Sequence, residues 1–594
     1  MSKFLSTLMS SLNRRFAFPL ERRFATVLNA FSDREKQLFF TAMGILVGST
    51  IILLLGINRA FVVSVPANGG MLTEGVFNTP AHINPLLATS EIGSEADRDL
   101  SALIYSGLLR ADGKGGFIPD LAQSYEVSEN GLTYTFILKP NLVWHDGKKI
   151  TADDVVFTVK TAQDSRMKSP KRANWDGVGV KKIDDITVRF TLQKPYAPFL
   201  ENATMGILPA HLWQNIDFNR FDTSIYNREP IGSGPYKLDS IQTTTKDGDT
   251  IPVSYTLSSF SSFALGKPHV DTIKIVFFHS EDALLSALVA GDIESVNSIS
   301  PDRARVLSQK GYRVERAPLP RVLAVFFNQN QAPIFADLAV RKALTLVVDK
   351  QPIIDKVLAG YGVAIDSAIP PGALGYKEAS PETPHDERIK QARALLTKAG
   401  FDFASTTNTW TKKVKKDIVT LRFAVATSEA SELKSVAQEL KASWAELGVP
   451  VDIRVFATGD LKETIVRPRK FDALFFGQVL GRDGDPYPFW HSSQRLDPGL
   501  NIASYANPKV DKILEQARAE TDPEKRIKSY GLFRDEIAKD VPAVFMYAPV
   551  FLYVIPQSIQ GFELGSITVP SERFLNVYEW YVHTDNVWKI FVPK

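Results

Sequence analysis

Residues 38–57 read LFFTAMGILVGSTIILLLGI, twenty residues without a charge, fourteen of them Ala, Val, Ile, Leu, Met or Phe. At about 1.5 Å per residue, a helix of that length spans roughly 30 Å, the thickness of a bilayer's hydrocarbon core. Seven Lys/Arg precede it; after it comes Arg59 and then none until Arg98. This asymmetry places the N-terminus in the cytoplasm and the rest of the chain outside. A cleaved signal peptide fits less well. The apolar run exceeds the usual 7–15 residues, it sits behind 37 residues, and Val65-Pro66-Ala67 is a poor small-x-small site. The expectation is an uncleaved single-pass anchor in the plasma (inner) membrane. Before it, Phe4, Leu5, Leu8, Met9 and Leu12, then Phe24, Val27, Leu28 and Phe31, recur at helical spacing among Arg14, Arg15, Arg22 and Arg23. That pattern reads as a basic amphipathic segment on the inner membrane surface, or equally as a basic tail.

The anchor changes how charge is read. Of 69 basic and 66 acidic residues, seven and three lie in residues 1–37, leaving 62 against 63 in the remainder. The body is therefore nearly neutral, without the basic face a nucleic-acid binder needs. Charged residues are 23% and hydrophobic residues 44%, which excludes a mainly disordered chain. There is no cysteine, so disulfides, thiolate metal sites, cysteine nucleophiles and a lipidated N-terminal cysteine are all excluded.

Beyond a short linker (58–67), strands and helices alternate. Thr133 to Leu138 alternates as a strand; Val143-Trp144-His145 runs to an Asp146-Gly147 turn; Thr151-Ala-Asp-Asp154 is a capping box with Val155, Val156 and Val159 behind it. Residues 322–327 form a strand, Asp337 can cap a helix through Val348, and Pro352 and Gly360 bracket the next one. Leu433, Val436, Leu440, Trp444 and Leu447 share one face of a helix that Gly448 stops. Such alternation means mixed α/β layers. Lys412 to Lys416 reads as a hairpin tip and Asp184-Asp185 as a solvated turn.

Catalytic signatures are missing. There is no P-loop, no G-x-S-x-G elbow and no H-E-x-x-H, and the eight His have no metal-ligand spacing. Asp483-Gly-Asp485 is a pair of loop carboxylates without the rest of a calcium loop. Weight therefore shifts from catalysis to binding; carboxylates converging only on folding would keep a hydrolase open.

Residues 119–160, PDLAQSYEVSENGLTYTFILKPNLVWHDGKKITADDVVFTVK, closely resemble the signature of the peptide-type (family 5) extracytoplasmic solute-binding proteins of ABC importers. IGSGPYKL (231–238), LSALVAGDIE (285–294), FNQNQAPIFADLAVRKALTLVVDKQPIIDKVLAGYGVA (327–364), QARALLTKAGF (391–401), FDALFFGQVLGRDGDPYPFW (471–490) and NPKVDKILEQAR (507–518) continue the likeness in order. The resemblance covers about residues 70–565. It implies an α/β, periplasmic-binding-protein-like (type II) two-lobed clamshell with an extra domain, behind the transmembrane helix. Lobe I would comprise 68–107, 229–318 and 550–594, domain II 108–228 and domain III 319–549, with hinge segments near 318 and 550. The ligand, an oligopeptide or similar solute, would lie between lobe I and domain III. Partners would be permease subunits with cytoplasmic ATPases, and the binder itself a monomer. No catalysis, cofactor, metal or nucleic acid is implied. The resemblance puts Asn78, His82 and Asn84 in a cleft-lining loop, and Arg482, Asp483, Asp485, Tyr487 and Trp490 in the loop where many relatives hold the peptide's amino group with an Asp. Here Arg482 stands where that Asp would be, with Asp483 one residue later. Either Asp483 substitutes, or the ligand is anionic or not a peptide, or the two residues brace the loop. Tyr487, Phe489 and Trp490 either wall the pocket or pack beneath it, the latter being favoured. A sensor or peptide chaperone on the same fold is the rival role.

Overall fold

A computed structural model describes residues 30–89, 93–246, 248–381 and 383–592. The expected amphipathic segment in residues 1–32 falls almost wholly outside them. The described chain divides into two units, one containing residues up to Ala67 together with those from His583 onward, and the other spanning Asn68–Val582.

In the first unit a single helix runs Asp33–Phe61, with none of its residues buried. It starts five residues before the apolar stretch because Ser32 and Glu35 form a capping box, the Ser32 N–H donating to Glu35 Oε2 at 2.8 Å. Among the described residues it is the one helix long and apolar enough to cross a membrane. Residues 58–67, expected as a linker, instead finish this helix and form the strand Val62–Ala67. That strand pairs antiparallel with His583–Trp588, from Val62↔Trp588 to Ala67↔His583. The residues from His583 onward, expected in the third piece of lobe I, thus group with the segment after the helix.

The second unit is built on mixed sheet in two halves. In one half, Ser295–Asn297, Met71–Phe77 and Thr272–Phe278 run parallel, followed by the antiparallel Asp249–Ser259 and Tyr236–Lys246. In the other, Val451–Phe456, Phe423–Ser428 and Ala473–Val479 run parallel, and Arg321–Phe327 joins antiparallel. The long strand Ala543–Val554 belongs to both. Its first residues pair with Arg321–Phe327 and its last with Val314–Pro318, for example Val325↔Val544 and Val314↔Val554. Leu319 and Pro320 connect those two partners, and the Leu319 N–H donates to Pro549 O at 2.9 Å. The chain therefore passes between the halves at two adjacent places, near 319 and 549.

Sequence patterning explains the burial. Leu323, Val325 and Phe327 pack under the helices Leu338–Leu346 and Ser431–Leu447, while Val322, Ala324 and Phe326 face Pro508–Ala519 and Pro523–Asp540. A strand covered on both faces reads as an unbroken apolar run. The 337-capped helix ends at Leu346, one turn's fraction short of the expected Val348. Gly448 stops its neighbour in the left-handed region (φ +87°).

The signature stretch supplies two strands of a four-stranded antiparallel sheet in the order Ala122–Val127, Thr133–Leu138, Thr187–Thr191, Gly179–Lys182. Helix Ala152–Gln163 begins at the predicted capping box, and Asp154 also accepts the Ala210 N–H at 2.9 Å. His145 sits against Phe260, with its Nε2 3.1 Å from Gly234 O and its Nδ1 accepting the Gly232 N–H at 3.3 Å. Burial pushes its pKa down to about 4. The unfolded chain, with His near 6.5, then binds more protons than the folded one between those values, so stability falls as pH drops from about 6.5 through about 4. Melting temperatures of parent and H145Q across that range should diverge toward neutrality and converge toward acid; parallel curves would contradict this.

Candidate functional site: the 481–491 loop and the first crossing

The loop after strand Ala473–Val479 is held from three directions. The Arg482 side chain is buried; its Nη2 lies 2.6 Å from Glu572 Oε2 and its Nη1 donates to Ser566 O at 2.9 Å. The carboxylate of Glu201 accepts the backbone N–H groups of Arg482 (2.9 Å) and Asp483 (3.4 Å). Burial raises the Glu201 pKa against those two donors. The Asp483 carboxylate is ion-paired with Arg526 and lies 3.5 Å from the Tyr530 hydroxyl. Asp485 accepts Arg518 Nε at 2.8 Å and the Tyr487 N–H at 3.0 Å; burial raises its pKa, with Arg518 opposing. The turn needs Gly484. Its φ is +70°, and a Cβ there would come within 2.6 Å of Ala373 Cβ.

Arg482 and Asp483 thus each carry a protein counter-charge, the arrangement expected if the pair braces the loop. Tyr487 is sandwiched between the His491 ring (4.2 Å, stacked) and the Arg518 guanidinium (4.1 Å). Trp490 is fully buried among Phe326, Tyr505, Phe533 and Phe545, the packing position favoured for it. Asn84, placed in the cleft-lining loop, is also inside. It is buried, its Oδ1 accepts the Leu86 N–H at 2.9 Å and its Nδ2 reaches Asn227 Oδ1 at 3.3 Å. Asn78 ends the strand Met71–Phe77 in the left-handed region (φ 62°) with an exposed side chain, and the backbone N–H of His82 donates to Asp97 Oδ1 at 2.6 Å. The Asn78 side chain is thus open to solvent and that of His82 partly so.

Behind the Arg482 clasp lies a cavity of about 160 Å³ whose polar lining includes Tyr105, Arg110, Asp120, Glu201, Arg482 and Glu572. It is smaller than the few hundred Å³ usual for ligand pockets and has room for a handful of waters. The Tyr105 hydroxyl and Asp120 Oδ1 are buried there without hydrogen-bond partners.

A second locus escaped the sequence reading. Arg321 opens its strand at the first crossing. Among the described residues its guanidinium makes no ion pair or hydrogen bond, and its Nε is buried. Burial, and then Arg98, lower its pKa, while Glu432 and Glu95 act the other way. Those neighbours are already engaged: Glu432 by the Tyr547 hydroxyl (2.6 Å), Glu95 by Ser298 Oγ (2.5 Å), and Arg98 by the carbonyls of Gly93 (2.9 Å) and Thr89 (3.3 Å). An isolated Arg in a strand pattern gives no signal that its charge will end up unpaired.

Residues 116–497 match the profile of the bacterial extracellular solute-binding proteins, family 5 (middle). The chain belongs to that family. It is 27% identical over 522 residues to the oligopeptide-binding protein AppA of Bacillus subtilis, covering 87% of this chain and 92% of AppA. It is 27% identical to the dipeptide-binding protein of Escherichia coli, covering 82% and 90%. The solved structure of AppA in complex with a nonapeptide superposes with a TM-score of 0.67 at 26% identity, over 87% of this chain and all of that one. NikZ of Campylobacter jejuni in complex with Ni(L-His) does so with 0.67 at 27%, over 86% and 99%. The resemblance and the two-lobed α/β fold read from the sequence are both borne out. The relatives of this family-5 protein are binding proteins, and it shares with them the segment that carries the clasped loop.

Proposed function

We propose that this family-5 protein is a membrane-anchored receptor that captures peptides by closure of two lobes and hands them to an ABC permease. The observation that carries the reading is the pair of adjacent strand crossings near 319 and 549, opposed by a polar clasp at Arg482. Two narrow crossings can bend, and a hydrogen-bonded clasp can separate and reform, which a continuous apolar interface cannot do. On this reading lobe I comprises 68–107, 229–318 and 550–582, domain II 108–228 and domain III 319–549. Glu201 and Glu572 then clasp domain III to the other two. The nonapeptide of AppA and the name of the dipeptide-binding relative support a peptide as cargo. An uncleaved anchor is supported by the Val62–Ala67 strand, whose register with His583–Trp588 would be lost on cleavage at Ala67. The absence of a P-loop leaves ATP hydrolysis to the partner. Exposed Asn78 and partly buried His82 line the cleft.

Arg321 supplies the ligand's counter-charge. A half-buried guanidinium without a partner, beside Arg98 and between the proposed lobes, favours a carboxylate, which it can grip in bidentate fashion. The test is calorimetry on the full chain with peptides paired as free acid and C-terminal amide. Free acids should bind about ten- to a hundredfold tighter, the worth of one charged hydrogen-bonded contact, and R321M should erase the difference. Failure of every peptide to bind, together with no peptide masses on the gently purified protein, would overturn the reading.

A further inference from the structure

The end of the last strand and the residues beyond it carry a surface of unusual character. Trp588, Ile590 and Phe591 are 41%, 73% and 74% exposed, three large apolar side chains within four residues. They are not scattered at random. The Trp588 ring stacks on Phe61 (6.3 Å between centroids, 21° between planes), and its Nε1 donates to Asn58 Oδ1 at 3.0 Å. Asn58 is the first residue after the uncharged stretch, and Phe61 closes the same helix. The six-residue pairing with Val62–Ala67 locks this register. The C-terminal segment is thereby fixed one helical turn beyond the apolar run, with Arg59 next to Asn58 and Lys589 next to Trp588 along the chain.

We infer that residues 588–591 form a second membrane contact, a C-terminal foot that rests in the lipid headgroup and upper acyl region. This rests on the anchor reading of the Asp33–Phe61 helix and deepens it. The chemistry fits that depth. A Trp with its N–H satisfied at the level where an apolar helix ends is the usual interfacial arrangement. Ile and Phe immediately beyond it can be buried in the acyl boundary, while Lys589 and Arg59 reach phosphate. In water the same patch would leave Ile590 and Phe591 as solvated apolar surface continuous with a fully exposed apolar helix, a liability in a soluble protein. The occupant argued for is the bilayer because the patch is continuous with a helix long and apolar enough to span it.

The chain contains no cysteine, so single labels can be placed cleanly. Spin labels at I590C, at G48C in the middle of the apolar stretch and at D585C on the exposed strand are compared in the full chain, reconstituted in phosphatidylethanolamine/phosphatidylglycerol vesicles. Accessibility to oxygen and to a water-soluble nickel chelate is read at each. The expected result is protection from the chelate at 590 severalfold greater than at 585 and close to that at 48. Protection at 48 with 590 as accessible as 585 would overturn the foot while leaving the anchor intact. Equal accessibility at all three would overturn the anchor and the foot together.

Discussion

Replacing Arg573 by Met should destabilise the Asn68–Val582 unit by about 3–5 kcal/mol, the cost of leaving buried charge uncompensated. Arg573 is fully buried between two fully buried carboxylates. Its Nε and Nη2 reach Glu74 Oε1 at 2.9 and 2.5 Å, and its Nη1 and Nη2 reach Asp99 at 2.8 and 2.6 Å. Glu74 also accepts the Tyr553 hydroxyl at 2.9 Å. The cluster thus ties the strand Met71–Phe77, the helix Glu95–Ile104, the long shared strand and the short turn at Pro570–Phe574. Burial raises the Glu74 pKa, with Arg573 opposing and Asp99 adding to it. Burial also works against the charge of Arg573, yet Asp99 and Glu74 outweigh it and drive its pKa up. Methionine fills a comparable volume but leaves two acids facing each other in a dry core. Since whole domains are stable by only about 5–15 kcal/mol, the loss is readable by urea unfolding. Combining R573M with E74Q and D99N should recover much of it, because removing all the charges together avoids the unpaired state. R573M unfolding at the parent's urea midpoint would refute the account.

The second large effect is expected at the clasp. Glu201→Ala removes the acceptor for two backbone N–H groups of the 481–486 loop, and Arg482→Ala removes a buried pair with Glu572. Truncating one partner of a buried, hydrogen-bonded charge pair costs about 2–5 kcal/mol. On the proposed lobe boundaries these contacts join domain III to its neighbours, so the loss should appear as opening and not as unfolding. Small-angle scattering of E201A should show a larger radius of gyration without peptide, with an unchanged melting profile for lobe I. Peptide affinity should fall about tenfold or more, because a ligand that selects the closed form binds in proportion to that form's population. A variant that melts early but scatters like the parent would make the clasp a stability element only.

The legible part of this protein lies within short reach along the chain. The capping box at Thr151–Asp154, the twice-buried strand over 322–327, the helix stopped by Gly448 and the apolar run over 38–57 are each set by interactions spanning a few residues. Caps, periodicity and left-handed glycines act on that scale, so one sequence suffices to read them. The ordered motifs carried the family in the same way. The extent of the long apolar helix was less legible, since Ser32 and Glu35 extend it through a cap lying outside the apolar pattern. The strand Val62–Ala67 was invisible because its partner lies more than five hundred residues away.

The site shows the same division more sharply. Sequence placed Arg482 and Asp483 in the right loop and left three roles open for them. Only the fold supplied Glu572, Glu201 and Arg526, at sequence separations of 90, 281 and 43, which hold both residues by protein contacts. Trp490 and Asn84 look like ligand contacts in a motif and are packing and turn residues in space. Arg321 shows the converse, a residue with no motif whose guanidinium makes no ion pair among the described residues. The chain determines by itself what is local: an apolar span, caps, strand faces and the family's ordered words. Tertiary structure decides which charges meet, because Coulomb energy and desolvation depend on distances and burial that exist only once strands hundreds of residues apart share a sheet.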